Sequence, residues 1–109
     1  MSEALREPTY LLLAALAGGR QHGYGLVQEV EELSGGRVRL RAGTLYGALE
    51  RLVGEGLVTP DGEEVVQGRL RRYYVLSSTG TQVLTQQTAQ RQATVKVVVR
   101  RLRAVGVQL

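Results

Sequence analysis

The chain has 109 residues, enough for one domain with a modest core and too few for two. With no cysteine and a single histidine, it lacks the side chains for a disulfide framework, thiolate chemistry or a structural zinc site. The net charge of +4 conceals an asymmetry: residues 1–64 hold six basic and ten acidic side chains, whereas residues 65–109 hold eight basic and no acidic ones. Such a half-chain suits a polyanionic partner, nucleic acid first and an anionic membrane surface second, or else a solvated basic surface. No apolar run approaches the ~20 residues of a membrane span. Acidic residues stand near the N-terminus where a secretory signal would be basic, so the expected location is cytoplasmic and no membrane partner is expected.

Pro8 suits the first turn of a helix, where its missing N–H costs nothing. The run Tyr10–Leu16 is apolar on every side and requires cover from more than one direction. A second subunit is the expected extra cover, with Leu12 and Leu16 at its interface. Gly18-Gly19 ends this helix. A second helix reads from about Tyr24 to Leu33, with Leu26, Val27, Val30 and Leu33 on one stripe and the glutamates turned away. In Arg37-Val38-Arg39-Leu40-Arg41, charge alternates with oil, which predicts a short half-buried strand that pairs with a later hairpin.

The third helix is expected over residues 43–55. Leu45, Leu49 and Leu52 sit at i, i+4 and i+7 and form its buried stripe, which leaves Thr44, Tyr46, Gly47, Glu50 and Arg51 outside. Two strands follow, broken by Pro60-Asp61-Gly62 and Gln67-Gly68. The first is irregular or at an edge because of Pro60. In the second, one of Tyr73 and Tyr74 faces the core. Ser77 is an N-cap for a last helix. Its apolar track runs through Leu84, Thr88, Arg91, Val95, Val98, Leu102 and Val105 at heptad spacing, clean in the second half and polar in the first. The β-branched run Val97–Val99 makes a strand the competing reading there. Arg100, Arg101 and Arg103 favour the helix, since a strand would spread them over both faces.

The order helix, helix, strand, helix, hairpin is that of a winged helix-turn-helix. The expected fold is mainly α with a small β-hairpin: a winged domain over residues 1–76, and a C-terminal dimerisation helix over residues 77–109 packed on it. The third helix then enters the major groove of double-stranded DNA. Its expected contacts are Arg39, Arg41, Gly43, Thr44, Tyr46, Gly47 and Arg51, with Tyr24 from the second helix and Arg69, Arg71 and Arg72 from the wing. Glycines at 43 and 47 keep the approaching face low, at a helix-propensity cost of ~1 kcal/mol for Gly47. Two copies of the helix match an inverted repeat ~10 bp between half-site centres.

The segments "LLLAAL…G…HGYGLVQEVEE" (Leu11 to Glu32), "AGTLYGALERLVGEGLV" (Ala42 to Val58) and "GRLRRYYVLSSTG" (Gly68 to Gly80) together resemble the PadR-like transcriptional regulators. The resemblance covers nearly the whole chain, and its short C-terminus looks like the smaller branch of the family. It implies a homodimeric repressor with a ligand-responsive cavity near the subunit interface, for which phenolic acids and cationic dyes are probes. Family members often carry serine at the cap position held here by Arg41, which cannot accept the first-turn N–H groups. Members that bind flat aromatic drugs use a tryptophan in the last helix, and this chain has none.

Other chemistry finds little support. Glu31-Glu32 and Glu63-Glu64 are adjacent and cannot converge as an acid–base pair, no nucleophile has a base, and no cofactor motif is present; "GGRQHGYG" lacks the Gly-Lys-Ser/Thr ending of a nucleotide loop. His22 is read as a helix cap, a phosphate-facing group or a plain surface histidine. The rival function is a basic interaction module that docks an acidic protein or an anionic membrane through the last helix. An architectural DNA binder without sequence preference shares the same charge pattern.

Overall fold

The computed structural model describes residues 4–109. In chain order the elements are α1 (Glu7–Ala17), β1 (Gln21–His22), α2 (Gly23–Leu33), α3 (Ala42–Gly54), β2 (Val58–Val66), β3 (Arg69–Leu76) and α4 (Ser78–Ala104). Pro8 lies in the first turn of α1, as its lost donor requires. Ser77 caps α4 by accepting the Gly80 N–H at 2.9 Å.

The core forms where α1, α2, α3 and the base of the sheet meet. Leu12, Leu13, Leu26, Val30, Leu45, Leu49, Leu52 and Val58 are all buried there, and Tyr74 is the tyrosine that joins them. The leucine triad of α3 is inward, as its spacing predicts. The apolar girth of α1 has a different cover from the one expected. It packs on α2, β3 and the first half of α4 of its own chain, and Leu12 and Leu16 are sealed inside that core, with no surface left for a second subunit.

The sheet is antiparallel with order β1-β3-β2. Its third strand is not Arg37–Arg41. That segment opens with a bend at Arg37 and continues without regular secondary structure, with Val38 and Leu40 half-buried against the core. Alternation reports which side chains point inward, and an irregular segment resting on a core satisfies it without a strand partner. The place beside β3 is taken by β1, which pairs Gln21 with Tyr74 and His22 with Tyr73.

β2 and β3 form the wing. Val58, Thr59 and Pro60 pair with Leu76, Val75 and Tyr74 at the core end, and Glu63–Val66 pair with Arg72–Arg69 at the outer end. Between them Asp61 and Gly62 stand opposite Tyr73 alone, which is a β-bulge. Pro60 sits on the edge strand, where its missing donor is harmless. The tip is a two-residue turn with Gln67 at φ 52° and Gly68 at φ 76°. Both central residues are left-handed, as a type I′ hairpin turn demands.

Candidate nucleic-acid interface

α3 presents an open face. Opposite its leucines, a methyl group placed on Gly43, Gly47 or Gly54 would meet nothing within 4 Å. Thr44 and Glu50 are exposed beside them. Arg41 at the N-cap makes no side-chain cap, which leaves the first-turn donors without a side-chain acceptor. It makes no ion pair among the described residues.

One edge of that face is Tyr46. Its phenol crosses to the N-terminus of α2 and lies against the backbone of Gly23; a Cβ there would fall 2.9 Å from Cζ. The same helix start is capped by His22, whose Nδ1 accepts the Gly25 N–H at 3.3 Å. The His22 ring meets Tyr73 edge-on, with centroids 5.6 Å apart. Burial first, then the nearby Arg71 charge, push its pKa below the usual histidine value, against an opposing pull from Glu64.

The wing closes the other side. An open groove of about 710 Å³ runs between α2, Tyr46 and the hairpin, lined by Tyr24, Arg69, Arg71 and Arg72 among others. Arg72 pairs with Glu63 across the hairpin at 3.4 Å. Arg69 and Arg71 make no ion pair among the described residues. The groove thus joins Tyr24, Tyr46 and the three wing arginines, next to the bare face of α3.

Two expected members are engaged elsewhere. Arg51, in the last turn of α3, donates to the Thr9 hydroxyl at 3.0 Å and pairs with Glu55 at 3.5 Å. Arg39 pairs with Glu31 at 3.1 Å. Sequence spacing put Arg51 on the outer side of α3 but could not see that α1 comes within its reach. The side chain that spacing missed altogether is Arg20, which lies on the Tyr73 ring and forks onto Asp61.

Residues 12–86 match the Transcriptional regulator PadR-like family. The chain belongs to that family. A transcriptional regulator of Mycobacterium tuberculosis is 39% identical over 75 residues, 69% of this chain and 66% of its own. A PadR family regulator from Clostridium difficile superposes with TM-score 0.70 at 27% identity, over 86% of this chain and 96% of that one. Bacillus subtilis PadR, solved in complex with operator DNA, superposes with TM-score 0.65 at 24% identity, over 74% of this chain and 46% of its own. The chain spans just under two thirds of the M. tuberculosis regulator, and 20% of a relative encoded in a Streptomyces fradiae transposon that is 43% identical over 74 residues.

Away from the groove, the track expected along α4 divides in two. Its first half is spent within the chain. Leu84 packs on the core, the Thr88 hydroxyl shares a 2.7 Å hydrogen bond with Tyr10, and Arg91 lies 3.7 Å over the Tyr10 ring while donating to the Leu5 carbonyl at 2.9 Å. Buried Gln87, between them, accepts the Leu5 N–H at 3.0 Å. From Gln92 to the end of α4 no residue is buried, and Val95 and Val98 are 58% and 46% exposed. Leu102 is half-buried, and Val105 lies just beyond the helix, exposed. No helix of the described residues is long and apolar enough to cross a membrane.

Proposed function

We propose that this PadR-like regulator is a cytoplasmic homodimeric repressor that binds an inverted-repeat operator in double-stranded DNA. α3 enters the major groove with Gly43, Thr44, Gly47 and Arg41, while Tyr24 and Tyr46 meet the backbone beside it. Arg69, Arg71 and Arg72 of the wing follow the phosphates or the adjacent minor groove. The observation that carries this reading is the bare glycine face of α3 lying beside a groove whose wing arginines 69 and 71 have no carboxylate partner among the described residues. The operator complex of Bacillus subtilis PadR supports it. Arg39 and Arg51, already held within the chain, are left out of the DNA surface.

The second copy pairs through the far half of α4, where exposed Val95 and Val98 and half-buried Leu102 form an apolar seam that the described residues do not bury. A small aromatic or phenolic ligand acts at the foot of that seam, in the cleft of about 430 Å³ between Ala4 and α4 lined by Gln87, Gln90, Arg91, Thr94 and Val95. Sequencing the duplexes that the purified protein selects from a random pool tests the reading. An inverted repeat with half-sites about one turn apart supports it; a pool without enrichment contradicts it.

A further inference from the structure

The bulge divides the wing mechanically. On its inner side, Val58–Pro60 pair with strand residues that pack on the core; on its outer side, every residue from Glu63 to Val65 is exposed and held only by the partner strand. A two-stranded ribbon that leaves its core is marginal by itself, and a bulge is where it bends. The angle between the wing arginines and α3 is therefore set at Asp61-Gly62.

Arg20 grips that point from the body of the domain. It precedes β1, which is fixed to β3 by its pairing. Its Nε and Nη2 donate to the Asp61 carbonyl at 3.1 and 3.0 Å, and Nε lies 3.0 Å from the Asp61 carboxylate. The guanidinium also stacks 3.7 Å above the Tyr73 ring, the residue opposite the bulge. Tyr73 in turn donates its hydroxyl to Glu64, on the outer side, at 2.9 Å. An exposed ion pair contributes little alone. Here a planar fork, a backbone acceptor and a ring face all fix the same guanidinium, which a lysine cannot reproduce.

We propose that Arg20 is a positioning residue for the wing: it fixes the hairpin angle across the Asp61-Gly62 bulge and so sets where Arg69 and Arg71 meet the duplex. The proposal rests on the DNA-binding reading above. It assigns Arg20 to bracing and not to phosphate contact, since its Nε and Nη2 are spent on Asp61 and its plane lies on Tyr73.

Two readouts test it. The chain has no cysteine, so a pair of spin labels at Gln28→Cys on α2 and Val65→Cys on the wing reports the hairpin angle without DNA. Arg20→Lys and Asp61→Ala, both checked for folding by circular dichroism, are compared with the parent. The expected result is a broadened distance distribution in both variants. Affinity for the selected operator should fall roughly tenfold in both, the loss of about one specific contact. The signs discriminate. If Arg20 touched phosphate, Asp61→Ala would remove a repelling carboxylate and tighten binding, and Arg20→Lys would keep its affinity; either result overturns the proposal. An unchanged distance distribution overturns it equally. Failure of the parent to bind any duplex would overturn the DNA-binding reading and this proposal with it, and the label distances, which need no DNA, tell that failure from a failure of the brace.

Discussion

The phenol of Tyr46 rests on the backbone of Gly23, so the start of α2 and the open edge of α3 are one surface and not two. A methyl at residue 23 would fall 2.9 Å from the Tyr46 Cζ, within a distance that real carbon pairs avoid. Gly23→Ala should swing the Tyr46 ring away at little cost in stability, since the exposed phenol is the free end of its side chain. It should also weaken operator binding by a comparable factor to Tyr46→Ala. A double-mutant cycle on operator affinity checks this: the two losses should fail to add. Full additivity would mean that Tyr46 acts independently of the α2 start.

Arg51 and Arg71 should behave in opposite ways. Arg51 is bound to Thr9 and Glu55, so Arg51→Ala should cost about 1 kcal/mol or less in urea unfolding and leave the ratio of operator to scrambled-duplex affinity unchanged. Arg71→Ala should leave stability alone, weaken every duplex alike and reduce the salt-dependence slope by about 1. Titrations at several salt concentrations separate the two. A changed sequence preference in Arg51→Ala would return that side chain to the DNA surface.

The docking of α4 on the wing base depends on a missing side chain. A Cβ on Gly80 would sit 2.9 Å from the Leu57 carbonyl carbon, which is backbone and cannot step aside. Gly80→Ala should therefore destabilise the chain by ~1–3 kcal/mol although alanine is the better helix former. The wing tip runs the other way. Gln67 holds a left-handed φ of 52° ahead of Gly68, and Gln67→Asn supplies the residue that such turns favour. It should add a few tenths of a kcal/mol. Chemical unfolding of both variants checks the pair of signs.

His22 makes stability depend on pH. Its Nδ1 must be unprotonated to accept the Gly25 N–H, and its folded pKa lies below the unfolded value of ~6.5 through burial and then Arg71. The unfolded chain therefore binds more protons in the interval between the two values. The stability this group contributes is present above about pH 6.5 and is lost as the pH falls from there through the folded value. The melting temperature should drop over that interval, and His22→Asn, which keeps a capping acceptor without titrating, should flatten the drop. An equal drop in His22→Asn would place the pH dependence elsewhere.

Much of this architecture is legible in the sequence because periodicity reports burial. Leu45, Leu49 and Leu52 announce α3, and Ser77 announces α4. What periodicity cannot report is the identity of the neighbour. Val38 and Leu40 alternate with arginines as a strand would, yet they rest on the core, and the place beside β3 goes to a two-residue β1 too short to leave any pattern. Thr88 and Arg91 keep heptad spacing and are spent on Tyr10 and Leu5. Arg20 carries no motif at all; its role exists only because a bulge brings Asp61 and Tyr73 under it.

The surface formed by the α3 glycine face and the wing is tested most directly by an amide NMR titration of the protein with its selected operator duplex. The expected result is that signals of residues 43–47 and 66–72 shift together, while those of Glu29 and Glu32 on the outer side of α2 stay in place. Shifts confined to residues 96–103 of α4, with residues 43–47 silent, would contradict the account and favour a basic helix that docks an acidic partner.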